Sequence, residues 1–190
     1  IDYKHTNENV QQIFSKYPNR KCKVYLLHGD LSNGQMAYLY RHNKIKSIIN
    51  IAHGEGFGLP LFEAAREGLP IISIGWSGQV DFLHHKGKDY YTPVEFTIGP
   101  IQKEAVWKGV LEESSHWAYA EQGSYKMKLR EVHKNWEDAN SKAIELKGII
   151  EEKYSDKNLY ENFVNEVYGD KLIEDDEIDA LFASLAEEAV

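Results

Sequence analysis

The sequence predicts an α/β fold with a doubly wound parallel sheet, helices on both faces and a helical C-terminal part, and three observations carry this expectation. Short apolar runs at residues 23–28 (KVYLLH), 47–52 (SIINIA) and 70–75 (PIISIG) read as buried strands. They begin 24 and 23 residues apart, which leaves room for one helix between neighbours, as a parallel crossover requires. The runs are continuously apolar rather than alternating, the habit of strands covered on both faces.

In chain order, the first residues read as a helix that leads into the 23–28 strand. Residues 35–42 and 60–67 have helical apolar spacing and supply the two crossovers. After the 70–75 strand, Ser77 and Gly78 open a further helix, and Trp76 reads as a core residue. From about residue 103 the pattern turns helical, with segments 121–134, 136–153 and 157–168. An acidic tail, 169–190, ends in an amphipathic segment, 176–189, whose Ile178, Leu181, Phe182 and Leu185 share one face. That face covers either this domain or a partner. Residues 1–168 are expected to form one domain with its C-terminal helices.

Composition narrows the function classes. A chain of 190 residues, 42% apolar and 12% aromatic, supports one core with a helical annex. No run approaches 18 apolar residues and no signal pattern opens the chain, so a cytoplasmic protein with no membrane span is expected. The single cysteine, Cys22, excludes a disulfide framework. The formal charge is −8, yet residues 174–190 hold seven acids and no Lys or Arg, so the rest carries −1. Bulk basic charge for nucleic acid is absent. His84 and His85 lack metal-site spacing, and the acidic run 174–177 lacks the glycine and spaced ligands of an EF-hand. The chain begins at Ile1 without an initiator Met, as expected of a piece of a longer protein.

The segment HGEGFGLPLFE, 53–63, concentrates the chemistry. It leaves the carboxyl end of the 47–52 strand, where open α/β sheets place ligands. Gly54, Gly56 and Gly58 remove three side chains just before a helix opened by Pro60, which frees backbone N–H groups for an anion. The dinucleotide fingerprint fails, since Leu59 stands where its third glycine belongs, and no phosphate-loop pattern exists. Two carboxylates are present instead. Glu55 lies in the loop and Glu63 one turn into the helix, and carboxylates accept paired sugar hydroxyls. Phosphate for the amides and hydroxyls for the acids reads as a nucleotide-diphosphate sugar. The plainer readings are a solvated loop acid at Glu55, a dipole-compensating acid at Glu63, core packing by Phe57 and Phe62, and structural histidines at 28 and 53.

EGFGLPLFE, 55–63, resembles the E-x7-E motif of group 1 GT-B glycosyltransferases. VYLLHGDLSNGQMAYLY before it, and GLPIIS with WSGQVDFL after it, extend the resemblance over 24–83. The resemblance implies the Rossmann-like C-terminal half of a GT-B fold, a retaining transfer from a nucleotide-diphosphate sugar, and no metal or other cofactor. Glu55 would be the catalytic residue, bonding the transferred sugar and steadying charge at its anomeric carbon. Gly54, Gly56, Phe57, Gly58 and Leu59 would contact sugar and diphosphate, and Glu63 the ribose hydroxyls. Gly29 would lie near the base, with Ser77 and Gly78 near the sugar-phosphate region. The family's first strand with its basic diphosphate clamp, and its N-terminal acceptor domain, have no counterpart here; Lys4, Arg20, Lys21 and Lys23 do not match the clamp. An isolated fragment is then expected to be inactive. A noncatalytic nucleotide- or sugar-binding module working in an assembly is the alternative.

Overall fold

The computed structural model describes residues 2–169, which fall into two units divided between Tyr38 and Leu39. In the first unit, α1 (Tyr3–Ser15) starts at Asp2, whose carboxylate accepts the Lys4 amide at 2.9 Å as an N-cap. Residues 23–28, expected as a strand, are irregular. The amides of 23–27 make no backbone hydrogen bond among the described residues, and Tyr25 is 82% exposed. An apolar run reports a preference for burial, but a strand also requires a neighbouring strand to bond. Helix α2 (Asn33–Arg41) runs on across the boundary.

The second unit is a mixed α/β assembly around a three-stranded parallel sheet. β1 (Ile48–Asn50) leads through α3 (Leu59–Arg66) to β2 (Ile71–Ile74), with Ile48 opposite Ile71. Next come α4 (Val80–Leu83) and a small hairpin, β3 (His84–His85) with β4 (Lys88–Asp89). Lys86 and Gly87, with φ of 49° and 78°, form the two-residue turn, both in the conformation a primed turn needs. β5 (Thr92–Val94) then pairs with β2, giving the order β1-β2-β5. β6 (Phe96–Pro100) pairs antiparallel with β7 (His116–Ala120) across a long connection. Helices α5 (Gln122–Lys134), α6 (Trp136–Lys153) and α7 (Asp156–Tyr168) follow.

Two apolar clusters sandwich β2. Ile71 joins Leu61, Ala65, Phe82, Leu146 and Ile150 from α3, α4 and α6; Ile72 and Ile74 join Val94, Ala118 and Val132 from β5, β7 and α5. Successive side chains point to opposite faces, so the three isoleucines of β2 supply both, and the buried Ser73 donates its hydroxyl to Ile74 O at 3.2 Å. β1 departs from the expectation of two covered faces, because it edges this sheet and Ile49 is 40% exposed. α3 ends in a Schellman arrangement: Gly68 (φ 73°) and Leu69 donate to Ala65 and Ala64 at 3.0 Å each. Among the described residues, no helix is long and apolar enough to cross a membrane. The amphipathic segment 176–189 lies outside the described residues.

Candidate functional site

Asn50 ends β1 and begins the site. Its Oδ1 accepts the Ala52 amide at 2.8 Å, which diverts the backbone from the sheet two residues earlier than the apolar run predicts. Its Nδ2 donates to Glu55 Oε1 at 2.7 Å. Glu55 is therefore not a freely solvated loop acid: a partly buried, charge-assisted bond holds its carboxylate.

The backbone of Glu55 is held just as firmly. Its carbonyl accepts from Ser77 Oγ at 2.6 Å and from the Gly78 amide at 3.1 Å, and its own amide donates to Ser77 Oγ at 3.2 Å. Ser77 reaches this position with φ of 73°. Gly78 has no room for a side chain, because a Cβ there would overlap the Gly56 carbonyl oxygen. Ser77 and Gly78 thus clamp the turn through the backbone of Glu55.

Four successive amides, of Gly56, Phe57, Gly58 and Leu59, donate to no acceptor among the described residues. Gly58 is the N-cap of α3 in a left-handed conformation (φ 85°, ψ 47°), and its carbonyl accepts the Leu61 and Phe62 amides at 2.9 and 3.0 Å. A Cβ on Gly58 would sit 3.1 Å from that of Gln79 and in a conformation costing about 1–2 kcal/mol for an L residue. No side chain caps α3, and Pro60 removes one donor. Free N–H groups at the positive end of a helix attract an anion. Phe57 serves both ends: its ring packs against Phe62 and Phe82 at 5.1 and 5.2 Å while its amide is open.

Gln79, 1% exposed, lies against this turn. Its Nε2 donates to Ile74 O at 3.3 Å, and its Oε1 accepts nothing from the described residues. Glu63 is exposed on α3 and accepts the Tyr40 hydroxyl at 3.3 Å. Burial, then the charge of Glu63 and its hydrogen bond, pushes the Tyr40 phenol above its ordinary value of 10.0, so it stays a donor.

On the other side, the Nδ1–H of His53 donates to Ala118 O at 2.8 Å, and Ala118 N donates back to His53 O at 3.2 Å. The imidazole stacks on Trp117 (centroids 4.7 Å apart, planes 3° apart) and meets Tyr119 edge-on at 4.8 Å. His53 therefore ties β7 to the start of the turn. Trp76, expected in the core, instead lies partly exposed with its indole N–H edge beside Gly54, since the residues after β2 turn outward at Ser77. Gly29 (φ 132°) belongs to the first unit.

The structure thus brings Glu55, the glycines, Ser77 and Gly78 into one interlocked turn, and gives Glu63 a phenol partner. Asn50, Tyr40 and Gln79 were not singled out by sequence reasoning. A polar residue inside the apolar run 47–52 was the available signal for Asn50. Among the described residues no three His, Cys, Asp or Glu side chains gather as metal ligands. No family model, no curated protein and no solved structure matches this chain.

Proposed function

We propose that this chain is the donor-binding half of a cytoplasmic glycosyltransferase, with a Rossmann-like GT-B architecture, that takes a nucleotide-diphosphate sugar and transfers the sugar with retention. The observation that supports the reading best is the row of four open amides at the left-handed N-terminus of α3, flanked in sequence by two acids whose side chains are already hydrogen-bonded. In this reading the amides of Gly56, Phe57, Gly58 and Leu59 hold the diphosphate and stabilise it as it leaves. Glu63 accepts the ribose hydroxyls. Glu55, oriented by Asn50, accepts hydroxyls of the transferred sugar and steadies positive charge at its anomeric carbon. Donors fixed before the reaction need no reorganisation as charge develops. A separate domain supplies the acceptor.

Calorimetric titration with UDP, GDP and ADP sugars tests this. Saturable binding of one of them, lost in Glu63→Ala and competed by the matching nucleoside diphosphate, is the expected result. No binding by any nucleotide sugar, or binding indifferent to Glu55→Ala and Glu63→Ala, overturns the reading. Binding without transfer in the complete protein favours a noncatalytic module.

A further inference from the structure

Glu63 is an exposed acid whose carboxylate has no charged partner. It lies beyond the first turn of α3, where a carboxylate would gain most from the helix dipole, and it meets no cation within ion-pair distance among the described residues. What holds it is the Tyr40 hydroxyl, which donates to its Oε2 at 3.3 Å. Tyr40 is 7% exposed, so its ring is fixed in the body of the protein while its oxygen reaches the surface acid. Burial and the neighbouring charge keep the phenol protonated at neutral pH. A buried phenol thus sets where an exposed carboxylate stands. Arg41, the next residue on α2, pairs with Glu67 one turn further along α3 at 3.4 Å, so the end of α2 is tied to α3 there independently of Glu63.

We propose that Tyr40 is the positioning residue for Glu63 and, given Glu63 as acceptor of the ribose hydroxyls in the reading above, that the pair selects ribose over deoxyribose. An ionised carboxylate offers about four acceptor sites, so one bond from Tyr40 leaves enough for both hydroxyls of a vicinal diol. An untethered Glu on a helix surface loses side-chain freedom when it binds, and a tether removes that cost beforehand. The tether also governs choice. A carboxylate held in one place presents fixed positions to two hydroxyls and forfeits a bond when the 2′-hydroxyl is missing. A carboxylate free to swing follows whichever hydroxyl remains. Discrimination therefore needs the phenol as well as the acid.

Calorimetric titration of the full chain with UDP, GDP and ADP, each beside its 2′-deoxy form, tests this. The parent is expected to bind one ribonucleotide about ten-fold more tightly than the deoxy form, the worth of one hydrogen bond to a charged group. Tyr40→Phe keeps the ring and loses the donor, and it folds because the exposed Glu63 takes water in place of the phenol. Its ratio is expected to fall to about three-fold or less, mainly through weaker binding of the ribonucleotide. Arg41→Ala, which cuts the other tie, is expected to keep the parent's ratio. A Tyr40→Phe protein with the parent's ratio overturns the proposal and leaves the nucleotide-sugar reading standing. So does an equal fall in Arg41→Ala, which assigns the effect to helix spacing. A parent that binds ribose and deoxyribose forms alike takes the ribose away from Glu63 and overturns the proposal with it, whereas no binding of any of these nucleotides overturns the proposal and the nucleotide-sugar reading together.

Discussion

The side chain of Asn50 donates to Glu55 Oε1 across 2.7 Å while accepting the Ala52 amide at 2.8 Å, so one residue both ends β1 and aims the carboxylate. Asn50→Ala removes both bonds and is expected to lower stability by about 1–2 kcal/mol in urea unfolding and to weaken nucleotide-sugar binding several-fold. Asn50→Asp keeps an acceptor for Ala52 but opposes Glu55 with a like charge. It should therefore bind more weakly than Asn50→Ala, most of all at low salt. If Asn50→Asp binds as tightly as the parent, the orientation of Glu55 is irrelevant to the ligand.

Two neighbouring glycines should respond in opposite ways. A Cβ on Gly78 would overlap the Gly56 carbonyl oxygen inside the clamp on Glu55, so Gly78→Ala is expected to destabilise by about 2–4 kcal/mol in urea unfolding and to abolish binding. Gly56 has open space where its Cβ would lie. Gly56→Ala is expected to leave stability within about 1 kcal/mol of the parent, yet to weaken binding at least ten-fold by blocking approach to the amides. Unimpaired binding by a stable Gly56→Ala protein would move the ligand off this turn.

Legibility in the sequence followed the range of the interaction. The turn was readable because glycine and proline constrain the backbone locally: Gly58 and Gly68 take positive φ, Pro60 opens α3, and the helix limits fell within a residue of those expected. β2 was readable because all four of its residues are buried. Residues 23–28 carried the same apolar signal without a partner to bond, and pairing is not encoded in a run. β5 escaped because Pro93 argues against a strand; it is tolerated there because β5 bonds β2 on one side only. Asn50, Tyr40 and Gln79 escaped because their partners lie on other elements or depend on how the chain turns after a strand.

His53 was readable only as a histidine at a strand end, and its measured effect should be on the fold. Its ring stacks on Trp117 and its Nδ1–H bonds Ala118 O, so His53→Ala is expected to cost about 2 kcal/mol, with faster hydrogen exchange concentrated in β7. His53→Phe keeps a stacking ring but leaves Ala118 O without that donor, and should fall between parent and Ala. A stability of His53→Ala equal to the parent's would show that the stack and the bond do not anchor β7.

Acid sensitivity should be traceable to Glu145. Lys88 Nζ donates to it at 2.6 Å and the Tyr90 hydroxyl at 3.0 Å, and these bonds, that of Lys88 first, hold its carboxyl below the ordinary value of 4.5. A folded value below the unfolded one means that the folded state binds the proton less readily. The contribution is therefore fully present above 4.5 and is lost as pH falls through the lowered folded value. Lys88 mirrors this, since Glu145 raises its value above 10.5: its share is present below 10.5 and lost as pH rises through the raised folded value. Thermal unfolding of Glu145→Gln should show a lower Tm than the parent at neutral pH and a gap that narrows as pH drops below 4.5, because the parent then loses what the variant never had. Both groups are half-exposed, so added salt should shrink the neutral-pH gap. A gap that stays constant from neutral to strongly acidic solution would mean that Glu145 acts through packing and not through its charge.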